Sequence, residues 1–415
     1  MKSPSHRPVT RRRVFYVPGF DPLPPRRYRE LYRKEAAAQS AISGYQIQLA
    51  ALTTVKGGFG WQVEAVIDGQ KTITEVDVLT WSDIVRESMA TGVVATYAQL
   101  ARTAWIYIRS GALARLMRLR KGPVLAALYP VIFLLGQLAV AIAAGWGVMA
   151  LLSQISESMA ASVVATLCGS VVAIGFLRWF RSRDGRFYAY YLMHDYAFSA
   201  SAQGAYPDVL EARLAQFADR IRRALAEDFD EVLVVGHSSG AHLAISVLAD
   251  ILRASPSWRD ETPARTPALS LLTLGQVVPM VSFLPQAHRL RSDLATLSGT
   301  HALTWVDVSA PGDGCCFALC DPVCVSGVAG PDKAAPLVLS AAFSQTLSAA
   351  RWKDIRWRFF RLHFQYICAF DQPRDYDYFQ ITAGPMTLAQ RYVNRRPSPS
   401  RIERALSAYT SQVAP

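Results

Sequence analysis

The chain reads EVLVVGHSSGAHLAISVL over residues 231–248. A short apolar run comes first, then Gly-His-Ser-Ser-Gly, and then an apolar segment typical of a buried helix. A strand, a G-x-S-x-G turn and a helix in this order lift a serine hydroxyl clear of the sheet edge. The turn is so tight that glycines are needed on both sides of it. The pattern predicts that Ser238 is a nucleophile. The alternative is a serine- and glycine-rich turn without chemistry.

A serine hydroxyl needs an imidazole to take its proton and a carboxylate to orient that imidazole. In a parallel sheet both partners are expected at the carboxyl ends of strands that follow the serine. Asp313 lies in a Pro-Gly turn past a predicted strand and is the preferred acid, although it could be an ordinary turn residue. Asp307 lies inside that strand and is the reserve acid. Among the histidines only His363 follows both aspartates, which makes it the preferred base; the alternative is a histidine packed between aromatic neighbours.

The tetrahedral intermediate of such a reaction needs two hydrogen-bond donors for its oxyanion. The backbone N–H of Ser239 is one of them by the construction of the turn. An early apolar run ends in Val17-Pro18-Gly19-Phe20, so the N–H of Gly19 or of Phe20 is the second candidate. A plain turn at the end of a strand explains these residues equally well.

Apolar runs that alternate with helical patterns predict an α/β fold, a mainly parallel sheet with helices on both faces. The predicted strands are Val14–Val17, Tyr45–Leu52, Trp61–Ile67, Lys71–Leu79, Glu231–Val235, Ser270–Val278, Leu303–Val308 and Arg356–His363. The predicted helices outside the most apolar part are Arg26–Ser40, Ile84–Arg118, Pro207–Glu227 and Arg401–Val413.

Two uncharged segments, Val124–Leu152 and Met159–Leu177, are each long enough to cross a hydrocarbon layer of about 30 Å as a helix. Their outer flanks are rich in arginine, while the loop between them carries only Glu157. Positive flanks face the cytoplasm, so a transmembrane hairpin (residues 122–180) is expected in the cytoplasmic membrane, with both termini cytoplasmic. A buried soluble hairpin is the alternative. The hairpin divides one cytoplasmic domain into residues 1–121 and 181–415.

The formal net charge of +12 is concentrated at the start of the chain and beside the apolar segments. Because no zinc-finger, RNA-binding or basic-zipper pattern accompanies it, the charge favours a lipid bilayer over nucleic acid as the partner. The sequence contains no nucleotide, flavin or metal motif, so no cofactor is expected. The cysteines of the segment Cys315–Cys324 match no metal-binding spacing and are predicted to be free thiols.

The Val-Pro-Gly-Phe loop, the Gly-His-Ser-Ser-Gly turn, a late aspartate and a final histidine resemble, in this order, the serine esterase and lipase-like part of the α/β-hydrolase superfamily. The resemblance covers nearly all of the sequence outside the hairpin. Two features depart from the superfamily pattern: Pro18-Gly19 replaces the frequent His-Gly, and the hairpin interrupts the domain.

The resemblance and the hairpin together predict a membrane-anchored serine hydrolase that cleaves carboxylic esters, with a membrane lipid or another acyl ester as substrate. A thioesterase or acyltransferase could use the same residues. A catalytically silent hydrolase fold that acts as a membrane-tethered interaction module is the alternative outside enzymes. A channel is disfavoured because the apolar segments carry no intramembrane charge. The oligomeric state is not predicted.

Overall fold

The computed structural model describes residues 7–51, 58–254 and 266–413. Its strands are β1 (Arg11–Val17), β2 (Gln46–Ala51), β3 (Phe59–Ile67), β4 (Gln70–Val78), β5 (Glu231–His237), β6 (Ala268–Leu274), β7 (Leu303–Ser309) and β8 (Leu337–Ser340). They form one sheet in the order β2-β3-β4-β1-β5-β6-β7-β8. Strands from before and after the apolar segments therefore belong to the same sheet.

The sheet is mainly parallel, as predicted. From β4 through β1 and β5 to β8 all neighbours pair in parallel, while β2 and β3 add an antiparallel edge. The carboxyl ends of β1, β5, β6 and β7 therefore lie at one edge of the sheet. The loop after β1 is the immediate neighbour of the turn after β5, because these two strands pair directly.

Helices cover both faces of the sheet, and each face carries its own apolar core. These helices pack on the sheet because one side of each is apolar. The helix α9 (Asp208–Leu225) is an example, since its apolar residues recur at helical spacing and are buried. The helices are α1 (Arg26–Ser43), α2 (Ser82–Met89), α3 (Val93–Arg109), α4 (Ala112–Leu119), α5 (Lys121–Ser153), α6 (Met159–Ser182), α7 (Asp184–Phe187), α8 (Ala189–Ala200), α9 (Asp208–Leu225), α10 (Gly240–Ala254), α11 (Val278–Ser282), α12 (His288–Ser298), α13 (Pro322–Val325), α14 (Phe343–Thr346), α15 (Ala349–Ile355), α16 (Phe359–His363), α17 (Tyr378–Ala383) and α18 (Leu388–Tyr392).

The two apolar segments form the long helices α5 and α6, and both are long and apolar enough to cross a membrane. Only 22% of the most apolar stretch of α5 and 11% of that of α6 is buried, whereas a soluble core helix would be mostly buried. The two helices cross at Gly145 and Gly169, where a Cβ on Gly145 would lie 2.6 Å from the carbonyl oxygen of Gly169. Small residues thus bring the two backbones together.

The predicted strand Arg356–His363 is wrong. This segment forms the turn after α15 and then α16, and β8 forms the edge of the sheet instead. Leu362, His363 and Tyr366 are buried while Arg358 and Arg361 are exposed, which is the spacing of a helical turn rather than of a strand.

Two predicted helices are also wrong. The segment Ile84–Arg118 is divided among α2, α3 and α4, with breaks at Gly92 and Gly111, because glycine is a poor helix former. The segment Arg401–Val413 forms no helix. Its backbone forms hydrogen bonds with the segment around α13 instead. The N–H of Ile402 donates to the carbonyl oxygen of Leu319, and the N–H of Leu406 donates to that of Val325. Tertiary backbone bonds override the weak local helical preference of this segment.

Candidate active site

Ser238 lies in the turn between β5 and α10, at the edge where the parallel strands end. Its φ of 57° is in the left-handed region, which costs a residue other than glycine roughly 1–3 kcal/mol. A Cβ on Gly240 would lie 2.2 Å from the carbonyl oxygen of Val17, so only glycine fits between the turn and β1. The backbone is that of a tight strand-to-helix turn that presents one hydroxyl.

His363 and Asp313 come together although they lie on separate segments. The Nδ1–H of His363 donates to the Oδ2 atom of Asp313 at 2.7 Å. The hydroxyl of Tyr366 donates to the same oxygen at 3.0 Å, and the backbone N–H of Cys315 donates to Oδ1 at 2.9 Å. Burial opposes ionisation of Asp313, but the electrostatic interaction with His363 and the hydrogen bonds from His363 and Cys315 outweigh it and hold the pKa of the carboxyl below its ordinary value. Asp313 is therefore a carboxylate that fixes the ring of His363.

The bond to Asp313 leaves Nε2 of His363 as the accepting nitrogen. This atom is buried and has no hydrogen-bond partner within residues 7–51, 58–254 and 266–413. His363 and Ser238 line the same cavity of about 70 Å³, without a direct hydrogen bond between them. An accepting imidazole nitrogen and a hydroxyl in one small cavity form an arrangement suited to proton transfer.

His237 packs against His363 and contacts both its ring and its backbone. Its ring stacks on that of His363 with centroids 5.0 Å apart, and its Nε2–H donates to the carbonyl oxygen of His363 at 3.0 Å. The hydroxyl of Tyr16 donates to the Nδ1 atom of His237 at 3.1 Å. Burial, assisted by the charge of His363, lowers the pKa of His237 to about 3, so this ring is neutral. His237 positions the backbone that carries His363.

The proposed oxyanion donors lie around the same cavity, which Gly19, Phe20 and Ser239 all line. A Cβ on Gly19 would lie 3.0 Å from the Cβ of Ser238, so glycine allows the loop after β1 to approach the turn. The loop is held by Trp81, whose Nε1–H donates to the carbonyl oxygen of Pro18 at 2.9 Å. Its other anchor is the hydroxyl of Tyr191, which donates to the carbonyl oxygen of Phe20.

The reserve acid Asp307 is not beside His363. It is buried inside β7, where the hydroxyl of Thr273 donates to its Oδ1 atom at 2.6 Å. Its Oδ2 atom has no hydrogen-bond partner in the described part of the chain. Burial raises the pKa of Asp307 to about 7. Its contacts are those of a structural group in the sheet.

Sequence reasoning missed an acidic residue that lines the cavity. Asp195 lies on α8, directly after the apolar hairpin, and lines the cavity together with Ser238 and His363. Burial raises the pKa of Asp195 to about 7, against the opposing effects of His363 and of a hydrogen bond with the Ser239 side chain. No sequence signal could have identified it, because the expected acid follows the serine and α8 precedes it.

The site also contains a set of metal-ligand residue types. Asp313, Cys315 and His363 offer ligand atoms within 4.8 Å of one another. However, Asp313 already accepts three hydrogen bonds. Burial and the Asp313 charge raise the pKa of the Cys315 thiol well above its ordinary value, and a neutral thiol is a poor metal ligand. These residues fit a proton relay better than a metal centre.

A second set, formed by Asp321, Cys324 and Glu403, has a structural explanation. Asp321 caps α13 by accepting from the N–H groups of Val323 and Cys324, and it pairs with Lys333 at 2.8 Å. The cysteines between residues 315 and 324 are free, as predicted, and Cys316 and Cys320 are buried.

Comparison of the chain with protein-family models, with curated proteins and with solved structures finds no match. Function is therefore inferred from the residues that meet at the cavity. These are a serine on a strained turn, an imidazole held by a buried carboxylate, and a glycine loop that approaches the serine.

Proposed function

We propose that this protein is a membrane-anchored serine hydrolase of the α/β-hydrolase type that cleaves carboxylic esters. The observation that carries the proposal is the His363–Asp313 hydrogen bond of 2.7 Å, which leaves Nε2 of His363 unpartnered beside Ser238. An imidazole in this state is a general base ready to accept a hydroxyl proton. No other histidine in the described part of the chain combines a carboxylate on one nitrogen with a place in this cavity.

The reaction follows the usual order of acyl transfer through a serine. Ser238 attacks the acyl carbon while Nε2 of His363 takes its proton, and Asp313 stabilises the imidazolium that forms. His363 then gives this proton to the leaving alkoxide, which departs as an alcohol. A water molecule, activated by the same nitrogen, releases the acyl group as a carboxylic acid and restores Ser238.

The oxyanion of each tetrahedral intermediate is expected to bind the backbone N–H of Ser239 and that of Gly19 or Phe20. The close approach of Gly19 to Ser238 supports this assignment, because the second donor must come from a loop beside the nucleophile. Such donors contribute on the order of 3–4 kcal/mol each to transition-state stabilisation.

The helices α5 and α6 are proposed to anchor the domain in the cytoplasmic membrane. Arginines surround Lys121 and the end of α6, whereas only Glu157 lies in the connecting loop, which favours a cytoplasmic domain. An anchor inserted between the strands of one sheet holds the cavity near the bilayer, so an ester that partitions into the membrane is the proposed substrate class.

A fluorophosphonate probe tests the proposal on the detergent-solubilised full chain. Covalent labelling is expected for the wild type and is expected to be lost in Ser238→Ala, because the probe reacts with an activated serine. The matched control is Ser199→Ala, since Ser199 lines the same cavity and has no proposed chemical role. Labelling that persists in Ser238→Ala, or a folded wild type that is never labelled, would contradict the proposal.

Hydrolase and acyltransferase activity differ only in the acceptor of the acyl group. Product analysis with an alcohol, an amine or a thiol added as competing acceptor separates them: free carboxylic acid as the main product supports hydrolysis. A cellular function that is unchanged by Ser238→Ala would instead favour a silent interaction module.

A further inference from the structure

A second cavity lies beside the one that contains Ser238. It has a volume of about 220 Å³, and its lining is almost entirely apolar. Its walls come from α3, α4, the first turns of α5 and α8, so it is built largely by the segment inserted between β4 and β5. The proposed ester chemistry does not account for this cavity.

The two cavities meet at shared residues. Tyr196 and Met280 line both of them, so these two side chains form the wall that the cavities share. The hydroxyl of Tyr107 donates to the carbonyl oxygen of Met280 at 2.9 Å, which fixes this shared wall. A substrate with its reactive carbonyl at Ser238 therefore reaches the apolar cavity only by passing between these two side chains.

The other side of the apolar cavity is continuous with the exposed apolar surface of the hairpin. Ile108, which belongs to the lining, is 60% exposed. Val124 and Val131 of α5 line the cavity, while Leu125 and Ile132 on the same helix are exposed. Apolar surface thus leads from the base of the membrane helix into the cavity without an intervening charged lining residue.

We propose that this cavity binds the acyl chain of the substrate, which enters from the bilayer with its ester carbonyl directed to Ser238. This inference rests on the proposed function and adds to it a substrate class, esters of medium-length fatty acids. An apolar lining without polar partners disfavours a sugar, a nucleotide or a charged head group, because their polar groups would be left unpaired there.

The size of the cavity limits the length of the chain. A dry apolar cavity of about 150 Å³ is known to bind benzene. Benzene has six carbons, so at the same volume per carbon a cavity of about 220 Å³ accepts roughly eight or nine carbons. Each buried methylene is expected to improve kcat/KM by about fourfold until the cavity is filled, and further methylenes are expected to add little.

The test is a series of p-nitrophenyl esters from acetate to palmitate, hydrolysed by the detergent-solubilised full chain. We expect kcat/KM to rise steeply up to an acyl chain of roughly ten carbons, which is the carbonyl carbon at Ser238 plus the eight or nine carbons that the cavity accepts, and then to level off. Ala104→Phe fills the cavity from α3. We expect it to lower kcat/KM for the decanoate ester at least tenfold and to keep kcat/KM for the acetate ester within twofold of the wild-type value. Ala101→Phe on the same helix is the control, because Ala101 is exposed and does not line the cavity.

A second filling variant, Ala127→Phe on α5, acts from another wall and covers the case in which Ala104→Phe does not fold. Equal kcat/KM values for acetate and decanoate in a wild type that is labelled at Ser238 would overturn the acyl-chain site and leave the hydrolase proposal intact. Acetate and decanoate rates that fall together in a folded, labelled filling variant would also overturn it. A wild type that is neither labelled nor active on acetate contradicts the proposed function itself.

Discussion

Asp307 and Asp313 lie close together in the chain, one inside β7 and the other in the loop that follows, and both carboxyls are buried. Asp313 accepts hydrogen bonds from His363, Tyr366 and the backbone of Cys315, and its pKa is lowered despite burial. Among the residues that the structure describes, Asp307 accepts only from Thr273, and burial raises its pKa to about 7. The electrostatic interaction with His363 and the hydrogen-bond donors around Asp313 therefore set the pKa values of the two equally buried carboxyls apart.

The largest expected effect follows from Asp313→Asn. An asparagine amide cannot hold Nδ1–H of His363 as a carboxylate does, so the ring takes the wrong tautomer and no charge balances the imidazolium. We expect kcat for a short ester to fall about 10³- to 10⁴-fold, by analogy with the same substitution in other serine triads. Asp307→Asn is the matched control and should retain kcat within a few-fold. Equal losses of kcat in the two variants would contradict the assignment of Asp313, rather than Asp307, as the acid that orients His363.

Chain order placed Ser238 and Asp313 after two strands of the sheet, and the structure has them after β5 and β7, with His363 bonded to Asp313. Chain order did not predict the helical turn that carries His363 or the contact of Tyr366 with Asp313. A strand over Arg356–His363 would have placed successive side chains on opposite faces, whereas the helical turn puts His363 and Tyr366 on one face toward Asp313.

Sequence analysis also failed to predict Asp195 as a cavity residue and β8 as a strand. Asp195 reaches the cavity only because α8 packs across the sheet edge after the hairpin. The strand β8 has only four residues, too few for a periodic pattern. The strands β5, β6 and β7 were more readily predicted, since each is a largely apolar run buried on both faces.

A smaller effect, on stability, is expected from Asp307→Asn. The folded protein keeps the proton of Asp307 up to about pH 7, while the unfolded chain loses it near the ordinary value of 3.8. The free energy of unfolding therefore falls between about pH 4 and pH 7 and stays low above this range. Asparagine can still accept from Thr273 but does not ionise, so the variant should be more stable than the wild type at pH 8, by on the order of 2–4 kcal/mol.

Thermal midpoints of the two proteins at pH 5 and pH 8 check this prediction. The midpoint of the variant should already be the higher one at pH 5, because the unfolded wild type is ionised there, and the difference should roughly double or more by pH 8, where the folded wild type is ionised as well. A separation of the same size at both values would mean that Asp307 does not titrate in this range.

The smallest effect on rate is expected for Tyr366→Phe. The Tyr366 hydroxyl donates to Asp313 and accepts from the N–H of Ala310 at 3.0 Å, so its loss removes one donor from the carboxylate and leaves a backbone group unpaired. Hydrogen bonds to charged groups contribute about 1.5–3 kcal/mol, so a lower thermal midpoint is expected at neutral pH. Because Asp313 carries its charge both before and during the reaction, this bond stabilises ground state and transition state alike, and kcat should change less than about fivefold. A loss of kcat as large as that of Asp313→Asn would mean instead that the tyrosine hydroxyl takes part in the proton relay.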